Sequence, residues 1–317
     1  MPNKLVLSKV AALLTIIFAI VLSVSAQTAI PPLPSTVVPG AKLDVLYENA
    51  RFFEGPTWDP VTGALYFTAF DKANEQVLLL DGPGKVTTWM DQTKGINGTY
   101  LSRTGELLAA QAFDHKLLSI KLGKDGPGEI KVLATGFEGI PYIQPNDVAE
   151  SPITGGIYYT DPNFKGKTRS AVYFLNAEGV IRRIIENLKL PNGVEVANDG
   201  KTLYVSDSFE KRIYSYPILA DGTVDQGQVK IFFDPHTDNM NDPDGMCLDE
   251  AGNVYFAMRG GVWVVSPEGK PLGLIPVPEF SSNVTFGGSD GKTLFITCDK
   301  KVYGLAMNVR GALFIKR

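Results

Sequence analysis

The chain has 317 residues, with 30 lysines and arginines against 34 aspartates and glutamates, which gives a formal net charge of -4. This mildly acidic balance, without any basic cluster, argues against nucleic acid as a partner. Only two histidines occur, His115 and His236, so the sequence excludes a zinc site built from several imidazoles.

The beginning of the chain has the order of a secretory signal peptide. Two lysines within the first ten residues precede a largely apolar run over 10–22, and small residues follow up to Ala26. An uncleaved membrane anchor is the alternative, but a span needs about 20 apolar residues and this run is shorter. We therefore predict a signal peptide over 1–26, a linker over 27–41, and a periplasmic or secreted mature protein that is not held in the membrane.

The rest of the chain consists of six similar units. In each unit an Asn, Asp or Glu stands directly before a short apolar segment, and a second strand-like run begins ten or eleven residues later. From unit one to unit six, these polar residues are Glu54, Asn97, Asn146, Asn192, Asp244 and Asn283. The second runs begin 40 to 51 residues apart, close to the period of about 40–50 residues that is typical of β-propeller blades.

Within each unit, short runs rich in Val, Ile, Tyr, Phe and Leu are separated by Asn-Gly or Asp-Gly turns, which predicts four antiparallel strands. We therefore predict an all-β, six-bladed β-propeller over 42–317. A further strand predicted at 42–48 precedes unit one and would pair into the last blade, closing the ring. A pair of β-sandwiches is the alternative, but it gives no reason for the constant offset between the runs.

A central metal site follows from the propeller, because its innermost strands line a channel. Glu54, Asn146, Asn192 and Asp244 would bring two carboxylates and two amide oxygens to one mouth of that channel. Such oxygen donors suit Ca²⁺, which takes six to eight oxygen ligands, better than the smaller Mg²⁺. Asn and Asp before Gly are also common turn residues, so the prediction depends on all six units sharing one phase. A purely structural calcium is the alternative to a catalytic one.

The two cysteines, Cys247 and Cys298, lie in different units and at different positions within the unit. An extracytoplasmic compartment permits a disulfide. Two buried thiols that act as small apolar side chains are the alternative. The sequence leaves both possibilities open, because it does not fix the distance between the two Cα atoms.

Several motifs resemble those of the senescence-marker-protein/gluconolactonase family. They are FEGPTW, PNDVAE, GGIYYTDP, LPNGVEVANDGKTLYVSD, DPDGMCLDEAGNVYFA and SNVTFGGSDGKTLFIT. The resemblance covers about residues 50–300, which includes every predicted blade. It implies a six-bladed propeller hydrolase that requires a divalent cation, usually calcium, and that acts on lactones or on organophosphate esters.

The resemblance also implies roles for individual residues. Glu54, Asn192 and Asp244 match the metal ligands of the family, and Asn146 falls where the family has a further ligand or a substrate-binding amide. Some members have an Arg two residues before that Asn to hold the substrate. Gln144 stands there in this chain, so we expect a substrate contact from Gln144 and a specificity that differs from that of the sugar-acid lactonases.

The proton acceptor of a hydrolytic reaction is predicted to be Asp244, because it would lie on the metal and face the open channel. Asp161 and Asp207, at the ends of second strands, are the second candidates, although the capping of turns is the more ordinary role for such residues. Asn97 and Asn283 have weaker claims as ligands.

The predicted function is therefore that of a calcium-dependent hydrolase that opens a lactone ring. The alternatives are a hydrolase of other esters, such as organophosphates, and a nonenzymatic propeller that binds a small ligand and contains a structural calcium. A propeller oxidoreductase with a quinone cofactor is disfavoured, because neither histidine occupies a position in the ring of polar residues.

Overall fold

The computed structural model describes residues 31–70, 74–123, 125–166, 169–235 and 242–312. The predicted signal peptide and His236 lie outside these residues. The described part of the chain is all-β, with 22 strands, a 3-10 turn at Gln226–Gln228 and no α-helix. None of its segments forms a helix of the length and hydrophobicity that a membrane crossing requires.

The strands are short in the middle of the chain and long towards its ends. In chain order they are β1 (Asp44–Asp59), β2 (Ala64–Phe70), β3 (Gln76–Leu80), β4 (Val86–Met90), β5 (Ile96–Leu101), β6 (Glu106–Gln111), β7 (Lys116–Lys121), β8 (Ile130–Ala134), β9 (Gly136–Phe137), β10 (Ile140–Pro141), β11 (Val148–Glu150), β12 (Ile157–Asp161), β13 (Ala171–Leu175), β14 (Ile181–Ile185), β15 (Pro191–Val196), β16 (Thr202–Asp207), β17 (Arg212–Pro217), β18 (Lys230–Phe233), β19 (Met246–Leu248), β20 (Val254–Val265), β21 (Pro271–Gly287) and β22 (Thr293–Ala306).

Units two, three and four each form a separate four-stranded sheet with the strands in sequential order. These sheets contain β5 to β8, β11 to β14 and β15 to β18, and all neighbouring strands within them are antiparallel. The predicted second runs of these units correspond to β6, β12 and β16. The prediction of four antiparallel strands is therefore confirmed for these three units.

Units five, six and one instead share one eight-stranded sheet, in the order β19-β20-β21-β22-β1-β2-β3-β4. Four consecutive strands of this sheet, β20, β21, β22 and β1, have 12 to 17 residues and run from one predicted unit or strand into the next. In β21 the segment 277–283 contains no glycine. A tight turn with positive φ is therefore disfavoured there, and the chain stays extended.

The first half of β1 joins the beginning of the described chain to its end. Asp44 pairs with Gly304 of β22, whereas the second half of β1 pairs with β2. The predicted pairing of 42–48 with the last unit is thus confirmed. Residues 31–41, predicted as a linker, contact the same region, because Val37 is buried and forms a bridge with Met307.

The apolar core lies between neighbouring sheets. Leu108 of unit two packs in one cluster with Tyr159 of unit three, and Tyr158 of unit three packs in another with Leu203 of unit four. Successive residues of one strand therefore face opposite neighbours, as the period of two in a strand requires. Cys247 and Cys298 are buried as free thiols, so a disulfide between them is not present.

Each unit is linked to the next by a hydrogen bond near the start of the first strand of that next unit, which gives six such bonds. They join Thr68 Oγ1 to Asn97 O (3.0 Å), Gly98 N to Asn146 O (2.7 Å), Thr160 Oγ1 to Asn192 O (2.7 Å), Ser206 Oγ to Asp244 O (3.0 Å), Gly245 N to Ser282 O (2.9 Å) and Ser282 Oγ to Phe53 O (2.6 Å). The last bond returns from unit six to unit one. The six bonds therefore form a closed cycle, which we call the interunit cycle.

Replacement of Ser282 by Ala is expected to open the interunit cycle at the junction between the two ends of the chain. Ser282 is fully buried, and its hydroxyl also lies 3.0 Å from Thr297 O. The free energy of unfolding should fall by about 1–3 kcal/mol, because the variant leaves a buried carbonyl without its partner. Urea denaturation measures this, with the exposed Ser289→Ala variant as the control. Equal stability of the two variants would show that the junction does not depend on Ser282.

Candidate metal centre

The six polar residues at the starts of the first strands are called the ring residues below. Glu54, Asn146, Asn192, Asp244 and Asn283 are buried, and Asn97 is half-buried. The pairing of the first and second strands is irregular beside four of the six, in units one, two, four and six. Irregularities of this kind bend a strand and change the direction of its side chains.

The glycines that follow the ring residues permit the close approach of neighbouring units. A Cβ on Gly193 would lie 2.2 Å from Asp244 O, and a Cβ on Gly245 would lie 1.9 Å from Asn283 Cγ. Gly193 lies within β15, and neither glycine has a positive φ. The interpretation of Asn192 and Gly193 as a turn is therefore wrong. Glycine is required there because no side chain fits between the units.

The amide group of Asn192 has a fixed orientation and an unpaired oxygen. Its Nδ2 donates to Ser208 Oγ at 3.1 Å, and the Ser208 hydroxyl donates to Pro243 O at 2.8 Å. Its Oδ1 is buried and has no hydrogen-bond partner among the described residues. A buried oxygen in this state costs about 1–3 kcal/mol, so it is a suitable ligand for a cation. Asn97 Oδ1 is also buried and unpaired among the described residues, so Asn97 is a stronger candidate for a metal ligand than its sequence indicated.

Glu54 and Asp244 are two buried carboxyl groups, and the charge of Glu54 disfavours the ionisation of Asp244. Burial raises the pKa of Glu54 to about 7, against the opposing effect of hydrogen bonds from Gly55 N and Asn283 Nδ2. Burial, followed by the charges of Glu54 and Asp147, raises the pKa of Asp244 well above its usual range. A cation between such groups would neutralise their charges and favour their ionised forms.

Asp147 is a third buried carboxyl group at this place, and the sequence analysis missed it. Its Oδ2 accepts a hydrogen bond from Val194 N at 3.1 Å. Burial, and then the charge of Glu54, raises its pKa well above the usual range. The signal was present in PNDVAE, where the acid directly follows Asn146 and precedes an apolar strand.

Asn283 and Asn146 belong to the ring in different ways. Asn283 Oδ1 accepts a hydrogen bond from Val284 N at 2.8 Å, and its Nδ2 donates to Glu54 Oε2 at 3.0 Å. Asn283 therefore orients Glu54, and its own oxygen is already used. Asn146 is held through its backbone, which donates to Thr160 O and accepts from Gly98 N in the interunit cycle.

Asp161 and Asp207 hold the loops that lead into the ring strands. Asp161 accepts hydrogen bonds from the backbone N–H groups of Ile143 and Gln144, and Asp207 does the same for Lys189 and the residue after it. The capping role is thus confirmed for both aspartates. Gln144 lies in the loop that Asp161 holds, and it is half-buried.

The donors of this site are oxygen atoms of mixed type. Among the described residues, no group of three or more His, Cys, Asp or Glu has the arrangement of a metal site. The ring instead combines the carboxyl groups of Glu54 and Asp244 with the unpaired amide oxygen of Asn192. Carboxylate and amide oxygens are the donors that Ca²⁺ prefers, so the residues present fit a hard divalent cation.

An all-β fold in which three four-stranded sheets and one eight-stranded sheet are linked by the interunit cycle is consistent with a β-propeller protein. Residues 52–300 match the family described as SMP-30/Gluconolactonase/LRE-like region, and the chain belongs to this family. The resemblance inferred from the sequence motifs is therefore confirmed.

Relatives and solved structures agree with this assignment. A gluconolactonase of Zymomonas mobilis is 25% identical over 302 residues, which cover 86% of this chain and 83% of that protein. The structure of a gluconolactonase from Xanthomonas campestris is similar, with a TM-score of 0.75 and 26% identity over 88% of this chain and 97% of that chain. The calcium-binding protein regucalcin from Agrobacterium tumefaciens has a TM-score of 0.72 and 21% identity over 86% and 95% of the two chains, which shows a common fold.

The stability of the chelator-treated protein is expected to fall as the pH rises. The pKa of Glu54 is about 7 in the folded state, against an ordinary value of 4.5, so the folded state binds the proton more tightly than the unfolded state does. The resulting stabilisation is fully present below pH 4.5 and is lost as the pH rises through about 7. Thermal unfolding between pH 5 and pH 8 with EDTA measures this.

The Glu54→Gln variant is the control for this pH dependence, because it cannot ionise and should show a smaller decline. Added Ca²⁺ should restore the stability of the unsubstituted protein most strongly at the high end of the range, where its carboxylates are ionised. If the stability of the chelated protein did not change across this pH range, the raised pKa of Glu54 would be contradicted.

Proposed function

We propose that this protein is a calcium-dependent lactonase with a six-bladed propeller fold. The observation that carries the proposal is the burial of the interacting acids Glu54 and Asp244, together with the unpaired amide oxygen of Asn192 in the unit next to that of Asp244. The gluconolactonase relatives support lactone hydrolysis, and the calcium-binding protein of the same fold supports calcium as the ion. The interunit cycle, with one bond from each of six units, supports six blades.

In this proposal Glu54, Asn146, Asn192 and Asp244 hold the cation, and water or substrate completes the six to eight oxygen ligands of calcium. A bound divalent cation supplies Lewis acidity, which polarises the carbonyl of a lactone and stabilises the negative charge that develops during hydrolysis. Glu54 suits the role of a constant ligand, because Gly55 N and Asn283 Nδ2 both donate to its Oε2.

Asp244 accepts the proton of the attacking water in this mechanism. The water oxygen forms a bond to the carbonyl carbon, the bond between that carbon and the ring oxygen breaks, and the proton is delivered to the departing ring oxygen. Burial and the neighbouring acids raise the proton affinity of Asp244, which favours proton transfer from water to its ionised form. Gln144 and Asn146 bind the substrate at the mouth.

We also propose that residues 1–26 are removed and that the mature protein is periplasmic or secreted. The lysines and the short apolar run at the beginning of the chain support this. Cell fractionation should find the protein outside the cytoplasm. Its mass, measured by mass spectrometry, should correspond to a chain that begins near residue 27. A full-length protein that remains in the cytoplasm would contradict the proposal.

Replacement of Asp244 by Asn is expected to abolish lactone hydrolysis while the protein stays folded. The loss in kcat should be at least about 100-fold, the usual effect of removing a general base. The Asp59→Asn variant is the matched control. Asp59 is equally buried, but it caps the turn after β1 by accepting from Val61 N at 3.0 Å, so its loss should affect stability and leave kcat largely unchanged.

The assay for these variants uses glucono-1,5-lactone and a panel of other lactones, each with EDTA and then with added Ca²⁺, Mg²⁺, Mn²⁺ or Zn²⁺. Activity that chelation removes and a divalent ion restores would support the proposal. Tight Ca²⁺ binding without turnover of any lactone would instead indicate a binding propeller with a structural ion.

A further inference from the structure

Four phenylalanine rings, called the phenylalanine array below, form a connected series. The Phe113 ring is edge-on to Phe70 at a centroid distance of 6.5 Å and an angle of 73°. Phe70 lies 6.5 Å from Phe52, which stacks on Phe280 at 6.4 Å and 20°. The guanidinium of Arg259 lies 5.3 Å from the centroid of the Phe280 ring at the end of the series. The rings come from segments of three different units.

The array presents apolar surface to solvent although its members are held in place. Phe113 is 54% exposed, and Phe52, Phe70 and Phe280 are half-buried. The Phe113 ring covers Gly95, where a Cβ would approach the ring to 2.6 Å. Ordered apolar surface that is left in water is typical of a place where a ligand or a partner binds.

The array is continuous with the candidate metal centre. In β1, Phe52 pairs with Phe70 and Glu54 pairs with Thr68 in the same register. Because alternate residues of a strand share a face, Phe52 and Glu54 project to the same side of β1. In β21, Phe280 precedes Asn283, whose amide donates to Glu54. The array therefore begins next to the residues that hold Glu54 and extends away from them.

We propose that the phenylalanine array is the subsite for an aryl or alkyl substituent on the lactone ring. This inference rests on the proposed lactonase function, and it names the class of substrate. A phenyl group gains by stacking on rings in this arrangement. The hydroxyl groups of a sugar lactone would lose hydrogen bonds to water on the same surface. The substrate is thus an apolar-substituted lactone.

The test compares a phenyl-substituted γ-lactone with the unsubstituted γ-lactone in the calcium-loaded protein. We expect the phenyl compound to have the higher kcat/KM, and Phe113→Ser to lower this preference about 3- to 10-fold, mainly through KM. Phe113→Leu should retain most of the preference. Phe209→Ser is the matched control, because Phe209 is 64% exposed and its ring contacts Lys189 outside the array.

Binding of the corresponding phenyl-substituted lactam, measured by calorimetry, gives a readout that does not require hydrolysis. Weaker lactam binding in Phe113→Ser than in Phe209→Ser would support the subsite. Hydrolysis without any preference for the phenyl compound, or equal losses in the two variants, would overturn the subsite and leave the lactonase function intact. Failure to hydrolyse any lactone with calcium would overturn the lactonase function, and lactam binding would still report on the array.

A second copy of the chain is the other occupant that such a surface could take. Sedimentation of Phe113→Ser distinguishes it from a substrate. Dissociation of an oligomer, combined with unchanged lactam binding, would identify the array as an interface between copies and overturn the inference.

Discussion

Six hydrogen bonds, each donated at the first or second strand of one unit, tie that unit to the start of the first strand of the next, and the bond from Ser282 Oγ to Phe53 O closes the cycle. Because the units are held this close, a side chain at Gly193 or Gly245, directly after the ring residue, would collide with the next unit. The ring residues are buried for the same reason. The spacing of the units thus determines both the glycines of the motifs and the position of the oxygen donors.

The site that results is unfavourable for a protein without a bound ion. Glu54, Asp147 and Asp244 are buried, and burial raises the pKa of each. The charge of Glu54 adds to this rise for Asp147 and Asp244. The unpaired oxygen of Asn192 adds to this cost. A hard cation would reverse both effects, because it attracts the ionised carboxylates and satisfies the amide oxygen. The free energy that the ion-free site costs the fold would thus be recovered when a cation binds.

The sequence alone was sufficient to predict the repeated strands and to single out the six ring residues, five of which are buried. The offset of ten or eleven residues reflects one strand and one hairpin turn, which have nearly constant length.

The eight-stranded sheet could not be predicted, because β21 continues through a segment where a boundary between units was expected. The role of Asn283 could not be predicted either, because the sequence does not show that its Nδ2, and not its oxygen, contacts Glu54. Asp147 was missed because each unit was aligned on a single polar residue. The phenylalanine array depends on the register of β1 against β2 and on a loop of another unit, which no local pattern reveals.

The most direct test of the account is the position of a bound calcium. Crystals grown with CaCl₂ and measured at a long wavelength, where calcium scatters anomalously, would locate the ion without reference to activity. The account predicts one peak about 2.3–2.6 Å from carboxylate oxygens of Glu54 and Asp244 and from the Asn192 amide oxygen. A well-ordered protein with no peak among these residues, or with calcium bound only elsewhere, would contradict it.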